Sequence, residues 1–106
     1  MAGIPPTPEL LLQIGHLEQV ANMAKDFVLM TMIAYEEDPP NHEALHPYMP
    51  QLTQKIAFCN QILHDPFWFN MGADNPLYIY KDVTLKMMAG VHSLYPMILN
   101  PAPGNQ

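Results

Sequence analysis

Apolar residues recur along most of the chain at three- and four-residue spacings, the period of one face of a helix. Over residues 8–37, Leu10, Ile14, Leu17, Ala21, Ala24, Val28 and Tyr35 hold that spacing, with Thr31 as a polar gap. Val20, Met23, Phe27, Met30 and Ala34 form a second stripe beside the first. Glu18, Gln19, Asn22, Lys25 and Asp26 lie on the opposite side. The pattern predicts a long amphipathic helix. After Asp26 its polar side disappears, because Leu29, Met32 and Ile33 take those positions. A helix that is apolar all round must be covered on all sides, by its own domain or by a partner.

A second helix is expected over 50–64, where Leu52, Ile56, Cys59 and Leu63 make one stripe with Phe58 and Ile62 beside it. A single helical turn is expected within 65–72, carrying Phe67, Trp68 and Phe69 and ending at Gly72 as a C-terminal stop. A third long helix is expected over 76–95, on Leu77, Tyr80, Thr84, Met87, Val91, Leu94 and Ile98, with Pro96 ending or kinking it near Tyr95. Thr7-Pro8, Asp65-Pro66 and Asn75-Pro76 each read as an N-cap followed by proline at the first helical position. No stretch alternates with a period of two, so a sheet is not expected. The fold class that follows is all-α: a small three-helix up-down-up bundle, four with the short extra turn, in one domain over 1–106 with Pro-rich flexible ends at 1–7 and 99–106.

The charge balance narrows the function classes. Only 13% of the 106 residues are charged, against 49% hydrophobic, and the net charge is -6 with four lysines and no arginine. That is too little cationic surface to bind nucleic acid, whose affinity comes from neutralising phosphates. It is also unsuited to an anionic membrane. The longest apolar run, 27–35, is far short of a bilayer span, and the first residues have no basic n-region of a leader. With Cys59 as the one cysteine, disulfide scaffolds and thiolate metal clusters are out. A soluble, cytoplasmic protein with no cofactor is expected.

One stretch carries catalytic chemistry. His42-Glu43-Ala44-Leu45-His46 reads H-E-x-x-H and resembles the zincin metalloprotease signature. In that signature two His one helical turn apart ligate zinc, and the Glu acts as general base on the metal-bound water. The resemblance covers these five residues alone. Pro39 and Pro40 precede them and Pro47 follows at once. The metzincin continuation would place Gly at 49 and His at 52, where Met49 and Leu52 stand, and a third ligand would have to come from His64, Asp65 or Asp74. The stretch therefore reads as an acidic interhelical loop, with a metal-dependent hydrolase using His42, Glu43 and His46 as the alternative.

The remaining candidates are apolar. Nine methionines, among them Met23, Met30, Met32, Met49, Met71, Met87, Met88 and Met97, read as core filling or as an adaptable binding face. Phe67, Trp68, Phe69 and Tyr78 form an aromatic patch that would cap the bundle or anchor an interface. Cys59 reads as a buried, inert thiol, and His16, His64 and His92 as lone structural or solvent-facing histidines. The reading that follows is a non-enzymatic protein-interaction protein: a small intracellular helical oligomer working as adaptor, assembly chaperone or inhibitor, a type frequent among phage and bacterial accessory proteins. Its interface residues are Leu29, Met32, Ile33, Phe67, Trp68, Phe69 and Tyr78, and its partner is another protein or a second copy. A third alternative is a protein that sequesters a small ligand at a subunit interface.

Overall fold

The computed structural model describes residues 7–100, and these are all-helical, with no strand among them. The elements are α1 (Pro8–Glu36), a 3-10 segment (His42–Tyr48), α2 (Met49–His64), the short α3 (Pro66–Phe69) and α4 (Tyr78–Leu99). The expected flexible ends lie outside the described residues except for Thr7, Leu99 and Asn100. Thr7 is the cap of α1, and Leu99 closes α4.

Local chemistry starts the helices where the proline pairs place them. Thr7 Oγ1 accepts the Leu10 N–H at 3.0 Å, and Asp65 Oδ1 accepts the Phe67 N–H at 3.0 Å. In both cases the next residue is proline, whose missing N–H costs nothing in a first turn. Asn75 behaves differently. Its Oδ1 takes the Leu77 N–H at 2.8 Å and its carbonyl takes the Tyr78 N–H at 2.9 Å. That closes a turn over 75–78, so α4 begins at Tyr78 rather than at Pro76.

Two further expectations are corrected. Pro96 does not end α4, which runs through it to Leu99. Pro96 and His92 are both exposed, so the carbonyl left without a proline N–H lies at the wet surface, and Asn100 donates to Pro96 O at 2.9 Å to finish the helix. Gly72 is not a left-handed stop, since no glycine among the described residues has positive φ. α3 ends at Asn70, and Lys81 Nζ reaches back to donate to Phe69 O at 2.9 Å and, just past the helix, to Met71 O at 3.1 Å. A cation on the last carbonyls satisfies a helix terminus as well as a glycine turn does.

α1 is the shared support of the fold. α4, α2 and the 3-10 segment all pack against it. The core holds much of the expected stripes: Leu17, Val20, Ala24, Phe27 and Ala34 from α1, Leu52, Ile56, Cys59, Ile62 and Leu63 from α2, and Val91 and Ile98 from α4, where Met88 is buried and the expected Met87 only partly so. Thr31 and Thr84 are buried among them with their hydroxyls satisfied. Thr31 donates to Phe27 O at 2.8 Å within α1, and Thr84 donates across to Leu17 O at 3.4 Å, tying α4 to α1. Phe58 departs from the expected stripe. It is half exposed at the rim, with its ring edge-on to His16 at 4.7 Å.

Candidate functional site

The H-E-x-x-H stretch lies in the 3-10 segment, not in an α-helix. Asn41 starts it, its Oδ1 accepting the Ala44 N–H at 3.2 Å, and Pro47 sits inside it. At three residues per turn, positions four apart point about 120° away from each other, whereas an α-helix would bring them onto one face. The ring of His42 is half-buried, edge-on to Tyr35 at 4.9 Å, and its Nδ1 is buried without a hydrogen-bond partner among the described residues. His46 and Glu43 are exposed, and Leu45, between them, is buried in the core. Among the described residues, no three His, Cys, Asp or Glu side chains gather closely enough to hold a metal ion. His64, one of three side chains from which the hydrolase alternative would have to borrow a third ligand, has its Nδ1 2.6 Å from Asn60 O within its own helix.

Cys59 is buried on α2, and its thiol donates to His16 O at 3.4 Å. Burial pushes the thiol above its ordinary range, and the nearby Lys55 offsets this in part. A raised pKa leaves little thiolate, so nucleophilic chemistry is not what this position supports. Lys55 donates to His16 Nδ1 at 2.8 Å, which makes that ring nitrogen an acceptor. The same ammonium stands 5.5 Å from the centre of the Phe58 ring. This cluster borders an open groove between α1 and α2. One part, of about 300 Å³, is lined by Met23, Asp26, Phe27, Met30, Tyr48, Gln51 and Leu52. Another, of about 410 Å³, adjoins it through Met23 and Gln51 and is lined further by His16, Gln19, Gln54, Lys55 and Phe58. Sequence reasoning missed the groove, because α1 and α2 each supply only half of it.

The aromatic patch separates into two roles. Trp68 is fully buried, and its Nε1 donates to Gln13 Oε1 on α1 at 2.9 Å. It belongs to the chain's own core, so it leaves the set of residues that a partner can reach. Phe67 and Phe69 remain exposed, Phe69 stacked on His64 at 6.4 Å. Tyr78 is half-buried beneath Lys81, whose ammonium is 5.9 Å from its ring centre. The methionines are dispersed: Met49, Met71 and Met88 are buried, while Met32 and Met97 are exposed.

The apolar positions of distal α1 face outward. Leu29, Met32 and Ile33 are exposed by 48%, 57% and 64%, and Leu11 and Leu12 are exposed near the start of the same helix. Leu29, Met32 and Ile33 lie within about one turn of each other and form an exposed apolar patch. α4 has an outer row as well, with Ile79, Val83 and Met97 exposed. That row is hard to see in the sequence because Asp82, Lys86 and Ser93 lie on the same side of the helix. The Lys86–Asp82 ion pair, 2.9 Å long and one turn apart, runs along that surface. Among the described residues no helix is long and apolar enough to cross a membrane. Compared with known protein families, with curated proteins and with solved structures, the chain shows no match to any.

Proposed function

We propose that the protein is a non-enzymatic interaction protein, a small helical oligomer that acts by binding protein, as an adaptor, assembly chaperone or inhibitor does. The observation that carries this reading is the exposure of Leu29, Met32 and Ile33 on a helix face that no other described element covers. Hydrophobic free energy of about 25 cal/mol is forgone for each Å² of apolar surface left wet, and symmetric self-association is the commonest way to recover it. We read the three long helices as an up-down-up bundle with α1 as the common support, and the setting as cytoplasmic. The scarcity of cations keeps nucleic acid out of the set of partners.

Sedimentation of the wild type is expected to give an oligomer at micromolar concentration. Leu29→Glu/Ile33→Glu is expected to shift it to monomer without loss of helical signal, since both residues are exposed. A wild type that stays monomeric at high micromolar concentration, or an oligomer untouched by the double substitution, overturns the reading. Zinc analysis separates it from a hydrolase. Chelator-washed protein is expected to hold well under one equivalent of zinc. A full equivalent that is lost in His42→Ala would put the hydrolase in its place.

A further inference from the structure

The groove between α1 and α2 is apolar at one end and polar at the other. At the apolar end it is lined by the buried Phe27 and Leu52 and by the half-buried Met23 and Met30. Toward the start of α1 the lining changes to His16, Gln19, Gln54 and Lys55. From His16 to Met30 it follows about 21 Å of helix.

Lys55 stands out among the charged groups. It is half-buried, its ammonium donates to His16 Nδ1 at 2.8 Å, and it lies 5.5 Å from the Phe58 ring centre. Among the described residues no carboxylate comes within ion-pair distance of it. The other lysines differ. Lys86 is paired with Asp82, Lys81 donates to the Phe69 and Met71 carbonyls, and Lys25 is exposed to water. Burying a cation is costly unless an anion pairs with it. The Lys55 ammonium has N–H donors to give beyond the one on His16.

We propose that this groove binds a single-chain carboxylate, a medium-chain fatty acid, with its carboxylate on Lys55 and its alkyl chain along Met23, Phe27, Met30 and Leu52. Apolar walls with a few polar groups gathered at one end are the make-up of a small-molecule site. The site also sets the headgroup charge. One lysine among uncharged glutamine amides balances one negative charge, and a phosphate dianion would leave excess negative charge on a chain already at -6. Direction follows from Asp26, which lines the apolar end and repels a carboxylate placed there. The proposal does not depend on self-association, because Leu29, Met32 and Ile33 are not groove residues.

The test titrates decanoate, below its micelle concentration, into the full chain with isotope-labelled methionine methyls read by NMR. Met23 and Met30 are expected to shift saturably. Met32 on distal α1 and Met97 on α4, both exposed, are expected to stay in place. Lys55→Gln is expected to weaken decanoate binding about tenfold, and decanol to bind the wild type about tenfold more weakly than decanoate. Gln54→Glu, at an exposed position beside Lys55, is expected to weaken decanoate as well. Leu29→Glu/Ile33→Glu is expected to bind it within about twofold of wild type.

Shifts of Met32 and Met97 as large as those of Met23 and Met30 would show general coating of apolar surface and overturn the site. So would decanol binding as tightly as decanoate, an affinity unchanged in Lys55→Gln, or no response to millimolar decanoate. Binding lost in Leu29→Glu/Ile33→Glu would make the site a product of self-association and overturn the single-chain groove. Met23 and Met30 signals that move with protein concentration and not with decanoate would assign the groove to a second copy of the chain, and overturn it too.

Discussion

Trp68→Ala is expected to cost about 3–5 kcal/mol, a large part of the 5–15 kcal/mol that holds a small domain together. Trp68 has no exposed surface, yet it sits in a helix of only four residues, whose own hydrogen bonds contribute little. What holds α3 in place is the indole itself, in the core and bonded through Nε1 to Gln13 on α1. The Asp65 cap and the Lys81 contacts act on the two ends of α3, and neither fills the space the ring occupies. Removing the ring therefore leaves a void with rigid helices around it. Thermal unfolding followed by far-UV circular dichroism, at one fixed protein concentration, should show a fall in midpoint of at least about 12 °C. Trp68→Phe keeps most of the bulk and loses the bond to Gln13, which is half-buried and within reach of water, so about 1–2 kcal/mol is expected. Equal midpoints for Trp68→Ala and the wild type would show that the indole is not in the core.

The contrast between Trp68 and its neighbours shows where the sequence stops being legible. Long stripes fix their own inward face. Leu17, Val20, Ala24 and Phe27 can be buried together only one way round, and so can Leu52, Ile56, Cys59 and Leu63. Caps that act within three residues, at Thr7 and Asp65, are equally readable. A one-turn helix has too few residues to define a face, so Phe67, Trp68 and Phe69 read alike until tertiary placement selects Trp68. The end of α4 was hidden for a related reason. Whether Pro96 stops the helix depends on whether the carbonyl it leaves free reaches water, which is a property of the packed chain. The 3-10 segment is a third case. His42 and His46 have the spacing of a metal pair only if the backbone is α-helical, and Pro47, inside the segment, belongs to a tighter coil. The outward face of distal α1 was readable because it lost its polar residues in a block, at Leu29, Met32 and Ile33. The α1–α2 groove was not, because it depends on how the two helices are spaced.

Phe27→Ala is expected to cost about 3–5 kcal/mol as well, and for a reason that the groove makes specific. Phe27 is buried at 1% exposure and forms part of the groove wall between α1 and α2, beside Met30 and Leu52. Its ring stands edge-on to Tyr95 of α4 at 5.7 Å. The cost of a deleted ring depends on whether a neighbour can move into the space. Tyr95 is held back: its hydroxyl bonds Thr53 at 3.0 Å and donates to Met49 O at 3.3 Å, both on α2. Collapse onto the void would break those bonds, so the void persists and opens into the groove. The Thr31 hydroxyl bond to the Phe27 carbonyl involves only backbone at position 27 and survives the substitution. Phe27→Leu refills most of the volume and should cost under about 1.5 kcal/mol. Combining Phe27→Ala with Tyr95→Phe, which frees the ring to move, is expected to cost less than the sum of the two alone, since residues in contact do not act additively. Thermal midpoints of the four proteins measure this, and strict additivity would show that Tyr95 does not restrain the site.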